Sequence, residues 1–187
     1  MRNNARVGEW TSAVLISLPS LAAYTDRWRT ASYDDLSDLP IAEQAPPHVT
    51  VLVPWAHDPE DAEARVRLTE AVAGFGPVEL SFGSAGLFSN GLVYLVPEPD
   101  LTGLLRAVTG AFPELPAYGG GHPDPYAHVT VSARGGVTVL AEVEAALATE
   151  QPPRVTVDHL GIYAPTADGV WHERGRVPLA APRSSWP

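Results

Sequence analysis

The sequence predicts an α+β fold built from two similar lobes. Three observations carry this. Strand-like and helix-like runs alternate twice in the same order. The tetrapeptide His-Val-Thr-Val occurs twice, at His48 and His128, eighty residues apart. The spacing also repeats, because Val14 precedes His48 by 34 residues and Val93 precedes His128 by 35. Identity between the halves is otherwise slight, so the repeat is one of pattern.

The elements read in order as follows. "SAVLISL" (12–18) is a short β-rich run, and "SLAAYTDRWRTASY" (20–33) is helix-like with Ser20 as its N-cap. A polar, proline-bounded loop leads to the strand "HVTVLV" (48–53). "DPEDAEARVRLTEAVAGF" (58–75) is a helix with Asp58 as N-cap, Pro59 in the first turn and acids ahead of arginines. Ala62, Val66, Leu68, Thr69, Val72 and Ala73 are expected to form its buried face. "VELSFG" (78–83) is a strand, and "AGLFSNG" near 85–90 is a turn between the lobes. The order then restarts, with the strand "LVYLV" (92–96), the helix "PDLTGLLRAVTGAF" (99–112) and the Gly/Pro-rich loop "PAYGGGHPDP". The strand "AHVTVSA" (127–133), the helix "TVLAEVEAALATE" (138–150) and the strand "RVTVDHLGIY" (154–163) complete the second half. A final strand, "GVWHERGRV" (169–177), is left over. The reading is thus one two-lobed domain over residues 1–187, with repeat halves 12–84 and 91–163.

Bulk composition excludes several classes. The 187-residue chain is 45% apolar, as expected of a globular protein, and it has no cysteine, which removes disulfides and thiolate metal sites. The N-terminal segment lacks the apolar core of a signal peptide and no apolar run is long enough to span a bilayer, so a cytoplasmic protein without membrane association is expected. The net charge is −10 and all twelve basic residues are arginine. Such a chain is poorly suited to gripping an extended phosphate backbone, which needs many cationic contacts. The expected partner is a small nucleotide or an RNA end, and a monomer is expected.

Side chains alternate across a strand. His48, Thr50 and Leu52 therefore share one face, and so do His128, Thr130 and Ser132, while the valines between them point into the core. Two such strands meeting across a pseudo-two-fold place two imidazoles and two hydroxyls in one site. That set suits phosphodiester chemistry. Free imidazole titrates near pH ~6.5, so one ring can accept a proton from the attacking oxygen while the other gives one to the leaving oxygen. The threonine hydroxyls can donate to non-bridging phosphate oxygens. Neither a metal nor another cofactor is required.

The paired motifs "PPHVTVLVPW" and "YAHVTVS", their spacing and the duplicated element order resemble the 2H phosphoesterase superfamily, which includes the 2′,5′-RNA ligase-like and cyclic phosphodiesterase proteins. The resemblance covers about residues 12–179. It implies His48 and His128 as the catalytic pair and Thr50 and Thr130 as phosphate binders. It also implies pseudo-symmetric lobes, each an antiparallel sheet with helices outside, and a cleft between them. The implied reaction is hydrolysis of a 2′,3′-cyclic phosphate or a related 2′,5′-linked nucleotide. The resemblance selects neither the substrate nor which histidine is acid and which is base. A non-catalytic nucleotide-binding module and a 2′,5′-ligase activity are the alternatives.

Further candidates follow from position. Tyr126, two residues before His128, shares its face and is placed to stack on a base or ribose. Arg27 and Arg29 in the first helix are candidate phosphate ligands, with Trp28 between them as a core anchor. Leu52 and Ser132 are expected on the cleft floor, Trp55 in the packing, and Tyr163 and Trp171 either in the core or as cleft walls. His122 and Asp124 match no metal-ligand spacing, and "GGG" at 119–121 lacks the Lys-Ser/Thr of a P-loop. His57, His159 and His172 read as surface residues.

Overall fold

The computed structural model describes residues 12–33, 45–55, 58, 60–120, 126–166 and 170–179. Its strands are β1 (Ala13–Ser17), β2 (His48–Leu52), β3 (Val78–Leu87), β4 (Val93–Glu98), β5 (Val129–Ser132), β6 (Val155–Val157), β7 (His159–Pro165) and β8 (Trp171–Pro178). The helices are α1 (Ala22–Tyr33), α2 (Ala62–Val72), α3 (Thr102–Ala111) and α4 (Gly136–Leu147). The expected alternation is present, and all strand pairs are antiparallel, in the order β6-β3-β4-β5-β2-β1-β7-β8.

This order shows how the repeat is used. The two His-x-Thr strands, β5 and β2, are the central pair. Outward from them, β4 and β1 are equivalent, and then β3 and β7. Each half therefore gives its last long strand to the other lobe: β3 lies beside β4, and β7 beside β1. The helices are exchanged too, since α1 packs on β5 and α3 on β2. Only Asp158 separates β6 from β7, although these strands lie near opposite edges of the sheet. Consecutive Cα atoms are about 3.8 Å apart, so the sheet must curl until its edges approach one another. The helices cover one face of the curl. Val14, Ile16, Val49, Val51, Val93, Leu95, Val129 and Val131 from that face form the main core with Leu21, Leu68, Leu104 and Leu105.

Several local expectations are corrected. Ser20 caps nothing: the chain enters α1 through a 3-10 turn, Pro19–Leu21, preceded by Leu18 without a side-chain cap. Helix α2 starts later than its acidic run suggests. Its cap is Asp61, not Asp58, and Asp61 accepts from Ala64 N at 3.0 Å. Its buried stripe is consequently Ala64, Leu68 and Val72. Val66 is 59% exposed, and Ala62, Thr69 and Ala73 face outward as well. Strand β3 runs on to Leu87, so the turn between the lobes is the tight Phe88–Gly91 hairpin, closed by Phe88 N to Leu92 O. The run 154–163 breaks into β6 and β7 at Asp158.

Candidate active site

The strand register assembles the site. Ser17 pairs with His48, and Leu15 with Thr50. Val49 pairs with Val129 across the central junction. Continuing that register one residue either way sets His48 opposite Thr130 and Thr50 opposite His128. Directly opposed residues share a face, so each imidazole lies beside the threonine of the other strand, and the pseudo-two-fold passes through the Val49–Val129 pair. Farther out, Tyr94 pairs with Thr130 and Gly86 with Tyr94. On the other side Leu15 pairs with Gly161. All four expected residues therefore meet on the open face of the sheet.

Both strands leave that face in the same way. Between Leu15 and Val14, β1 advances one residue while β2 advances from Thr50 to Leu52. Between Tyr94 and Val93, β4 advances one residue while β5 advances from Thr130 to Ser132. Each is a β-bulge, whose extra residue reverses the alternation beyond it. Leu52 and Ser132 are consequently not on the cleft floor. Both are fully buried, with Leu52 in the main core.

The two imidazoles are oriented alike. His48 Nδ1 lies 2.7 Å from Pro46 O and His128 Nδ1 lies 2.8 Å from Tyr126 O. A carbonyl only accepts, so each Nδ1 carries the hydrogen and each Nε2 is the atom whose protonation varies. Their surroundings differ. His48 is half-buried. Desolvation lowers its pKa to about 4, the Pro46 hydrogen bond opposes this, and Arg29 and His128 add to the lowering. His128 is ringed by aromatics, with Phe88 at 5.0 Å and Tyr94 at 5.5 Å in edge-to-face contact and Tyr126 parallel at 6.4 Å between ring centroids.

The two arginines separate. Arg29 is 6% exposed, donates to Ala45 O at 2.9 Å and lines a shallow cleft with Pro46, Pro47, His48 and Thr130. Arg27 is engaged elsewhere. Its guanidinium lies over the Tyr24 and Trp28 rings and donates to Glu150 at 3.0 Å. Helical spacing puts two such positions on opposite sides, so α1 presents only one of them to the site. Trp28 is a core anchor, and Trp55 is buried edge-on against Phe112. Tyr163 is both packing and wall: it is buried on the open face, bonded to Ser17, and donates to Glu173 Oε2 at 3.1 Å. His159 joins that wall, half-buried between Asp158 and Glu173, whereas His172 is exposed. His57, His122 and Asp124 lie outside the described residues. Among the described residues no group of three or more potential His or carboxylate ligands is gathered for a metal, and no helix is long and apolar enough to cross a membrane.

Sequence reasoning missed Phe88, Tyr94, Ser17 and Glu173. One signal for the aromatics was present. Gly86-Leu-Phe88 and Gly161-Ile-Tyr163 repeat a Gly-x-aromatic pattern in the two halves. In both, the glycine leaves room for a ring: a Cβ on Gly86 would lie 2.4 Å from Tyr94 Cζ, and one on Gly161 would lie 2.5 Å from Tyr163 Cε2.

Comparison with known proteins agrees with this architecture. The model of the 2′-5′ RNA ligase superfamily matches residues 18–169. No curated protein matches. Among solved structures, E. coli LigT complexed with NADP+ is similar at TM-score 0.54 and 18% identity, over 92% of this chain and 98% of that one. LigT complexed with 3′-AMP gives TM-score 0.53 at 18% identity, over 92% and 99%. TT0787 of Thermus thermophilus gives 0.54 at 15% identity, over 90% and 97%.

Proposed function

Because the chain belongs to the 2′-5′ RNA ligase superfamily, within the 2H phosphoesterases, we propose that it is a phosphoesterase that opens a small or terminal cyclic phosphodiester, a 2′,3′-cyclic phosphate or a related 2′,5′-linked nucleotide. The observation that carries this reading is the pair of imidazoles, each with Nδ1 tied to a carbonyl and each beside a threonine of the opposite strand. Nucleotides in the LigT complexes support a ligand of this class for the fold.

In this mechanism neutral His48 is the base. Burial and the Arg29 charge keep its Nε2 unprotonated at neutral pH. It takes a proton from water as the water oxygen bonds to phosphorus. His128, on the opposite strand, is the acid, since the other imidazole of the pair is the one held neutral. As the phosphorus–ribose oxygen bond breaks, His128 Nε2–H protonates that oxygen. Exchange with solvent returns both rings to their starting forms. Thr50 and Thr130 donate to the non-bridging oxygens, where charge is held. Arg29, which also faces Asp26 at 3.4 Å, brings a guanidinium to the cleft for an anionic substrate.

The test is hydrolysis of a panel of 2′,3′-cyclic nucleotides in EDTA by wild type, His48→Ala and His128→Ala. Each variant is expected to lose about 10²–10⁴ in rate. Turnover that survives both substitutions would overturn the site, and turnover abolished by EDTA would overturn the metal-free mechanism.

A further inference from the structure

In a duplicated fold, what both halves need appears twice, and what only the substrate needs appears once. The register pairs the positions around the site: Tyr94 is equivalent to Leu15, Phe88 to Tyr163, and Tyr126 to Pro46. Three aromatic rings thus stand on the His128 side where the His48 side has a leucine, a proline and a tyrosine tied to Ser17 and Glu173. The three form one cluster. Phe88 and Tyr94 stack at 4.3 Å, and both meet Tyr126 edge-on at 6.2 and 5.6 Å. The Tyr94 hydroxyl is hydrogen-bonded to Tyr126. Gly86 leaves the room that the Tyr94 ring fills. The cluster is open at one member: Tyr126 is 47% exposed, the only aromatic among the large exposed hydrophobic residues described.

We propose that Tyr126, backed by Tyr94 and Phe88, is a nucleobase-stacking platform, and that the substrate lies with its nucleoside on the β4 side of His128. This rests on the phosphoesterase reading above and extends it to substrate class and polarity. If His128 protonates the leaving oxygen, the sugar bearing that oxygen must lie on the His128 side, and its base is carried there too. Water enters from the His48 side, where Leu15 carries no ring and the neighbouring Tyr163 and Trp171 rings are packed into a separate cluster with it, Tyr163 being buried.

The experiment compares Tyr126→Ala and Tyr126→Trp with wild type on two substrates: a 2′,3′-cyclic nucleotide, and the 1,2-cyclic phosphate of glycerol, which has the diester but no base. The backbone carbonyl that orients His128 is kept in both variants. Tyr126→Ala is expected to raise KM for the nucleotide about 5- to 150-fold, to leave the glycerol diester within about twofold, and to be rescued by Tyr126→Trp. Equal losses on both substrates would show that the rings only tune His128, and an unchanged nucleotide KM would show that no base stacks there. Either result overturns the platform while leaving the phosphoesterase reading intact. Should wild type turn over neither substrate, calorimetric titration with 3′-AMP and with inorganic phosphate decides. The platform stands if Tyr126→Ala weakens only 3′-AMP, and it falls if both or neither are weakened or if wild type binds no 3′-AMP.

Discussion

Replacing His48 should change how stability depends on pH, and by an amount that the structure sets. The unfolded imidazole binds a proton near pH 6.5, whereas the folded one stays neutral to about pH 4, chiefly through desolvation and also through the charges of Arg29 and His128. The unfolded state therefore holds more protons between these values, and stability must fall as the pH falls through that window. At about 1.36 kcal/mol per pKa unit, the full loss is about 3 kcal/mol. About 1.4 kcal/mol of it appears by pH 5.5, and the slope from this group dies away only well below pH 4, where both states are protonated. His48→Asn supplies the reference, because its amide can still donate to Pro46 O but has no proton to gain. Urea denaturation of both proteins at pH 7.5, 6.5 and 5.5 gives the difference in unfolding free energy, in which the titrations of histidines not coupled to position 48 cancel. The wild type should lose about 1.4 kcal/mol relative to the variant across that range. A flat difference would mean that His48 titrates near its ordinary value, and the argument that burial holds it ready as a base would fail.

Arg29→Met removes a cation that lowers the His48 pKa and that lines the cleft beside Thr130. The acidic limb of kcat/KM should move to higher pH, and KM for an anionic substrate should rise about tenfold, the effect of losing about 1.4 kcal/mol of charge-assisted binding. On α2, Leu68→Ala should cost about 2–5 kcal/mol of stability in thermal or urea unfolding, because Leu68 is fully buried, while Val66→Ala stays within about 0.5 kcal/mol. Equal costs at the two positions would contradict the observed helix face.

The parts of the site that were legible are those governed by short-range rules. The alternation of β2 and β5 fixes His48, Thr50, His128 and Thr130 on one face whatever the strands pair with. The departures began where a partner strand decides. Nothing in "HVTVLV" or "HVTVSA" marks a bulge, since neither contains the glycine that often signals one. Leu52 suits a core as well as a cleft floor, so both bulges had to be seen in the register. The exchange of β3 and β7 between lobes is a long-range pairing that leaves no trace in either segment. The start of α2 was misplaced because Asp58 and Asp61 both suit an N-cap, and choosing the first moved the expected stripe around the helix to include Val66. Of the two arginines flanking Trp28, the side reaching the site depends on where α1 packs, and it packs on a strand of the other half.

The duplicated bulges bear on why only two residues of each strand form the repeated chemistry. Before the bulge, β2 and β5 present an imidazole and a hydroxyl to the open face in matched register. Beyond it each strand turns its next side chain into the core, where Leu52 and Ser132 meet different neighbours. The repeated chemistry therefore ends at Thr-Val because the bulge in each half takes the following residue off the open face. The same reasoning gives the differences around the site their meaning. Leucine or tyrosine opposite the threonine, proline or tyrosine before the histidine, and serine or valine beside it (Ser17 and Val96) are choices that the strand geometry leaves open on either side. A symmetric pair of histidines can move a proton in either direction. The unequal rings and Arg29, the one buried arginine among the described residues, make the two sides of the cleft different, and the proposed base platform takes its direction from that difference.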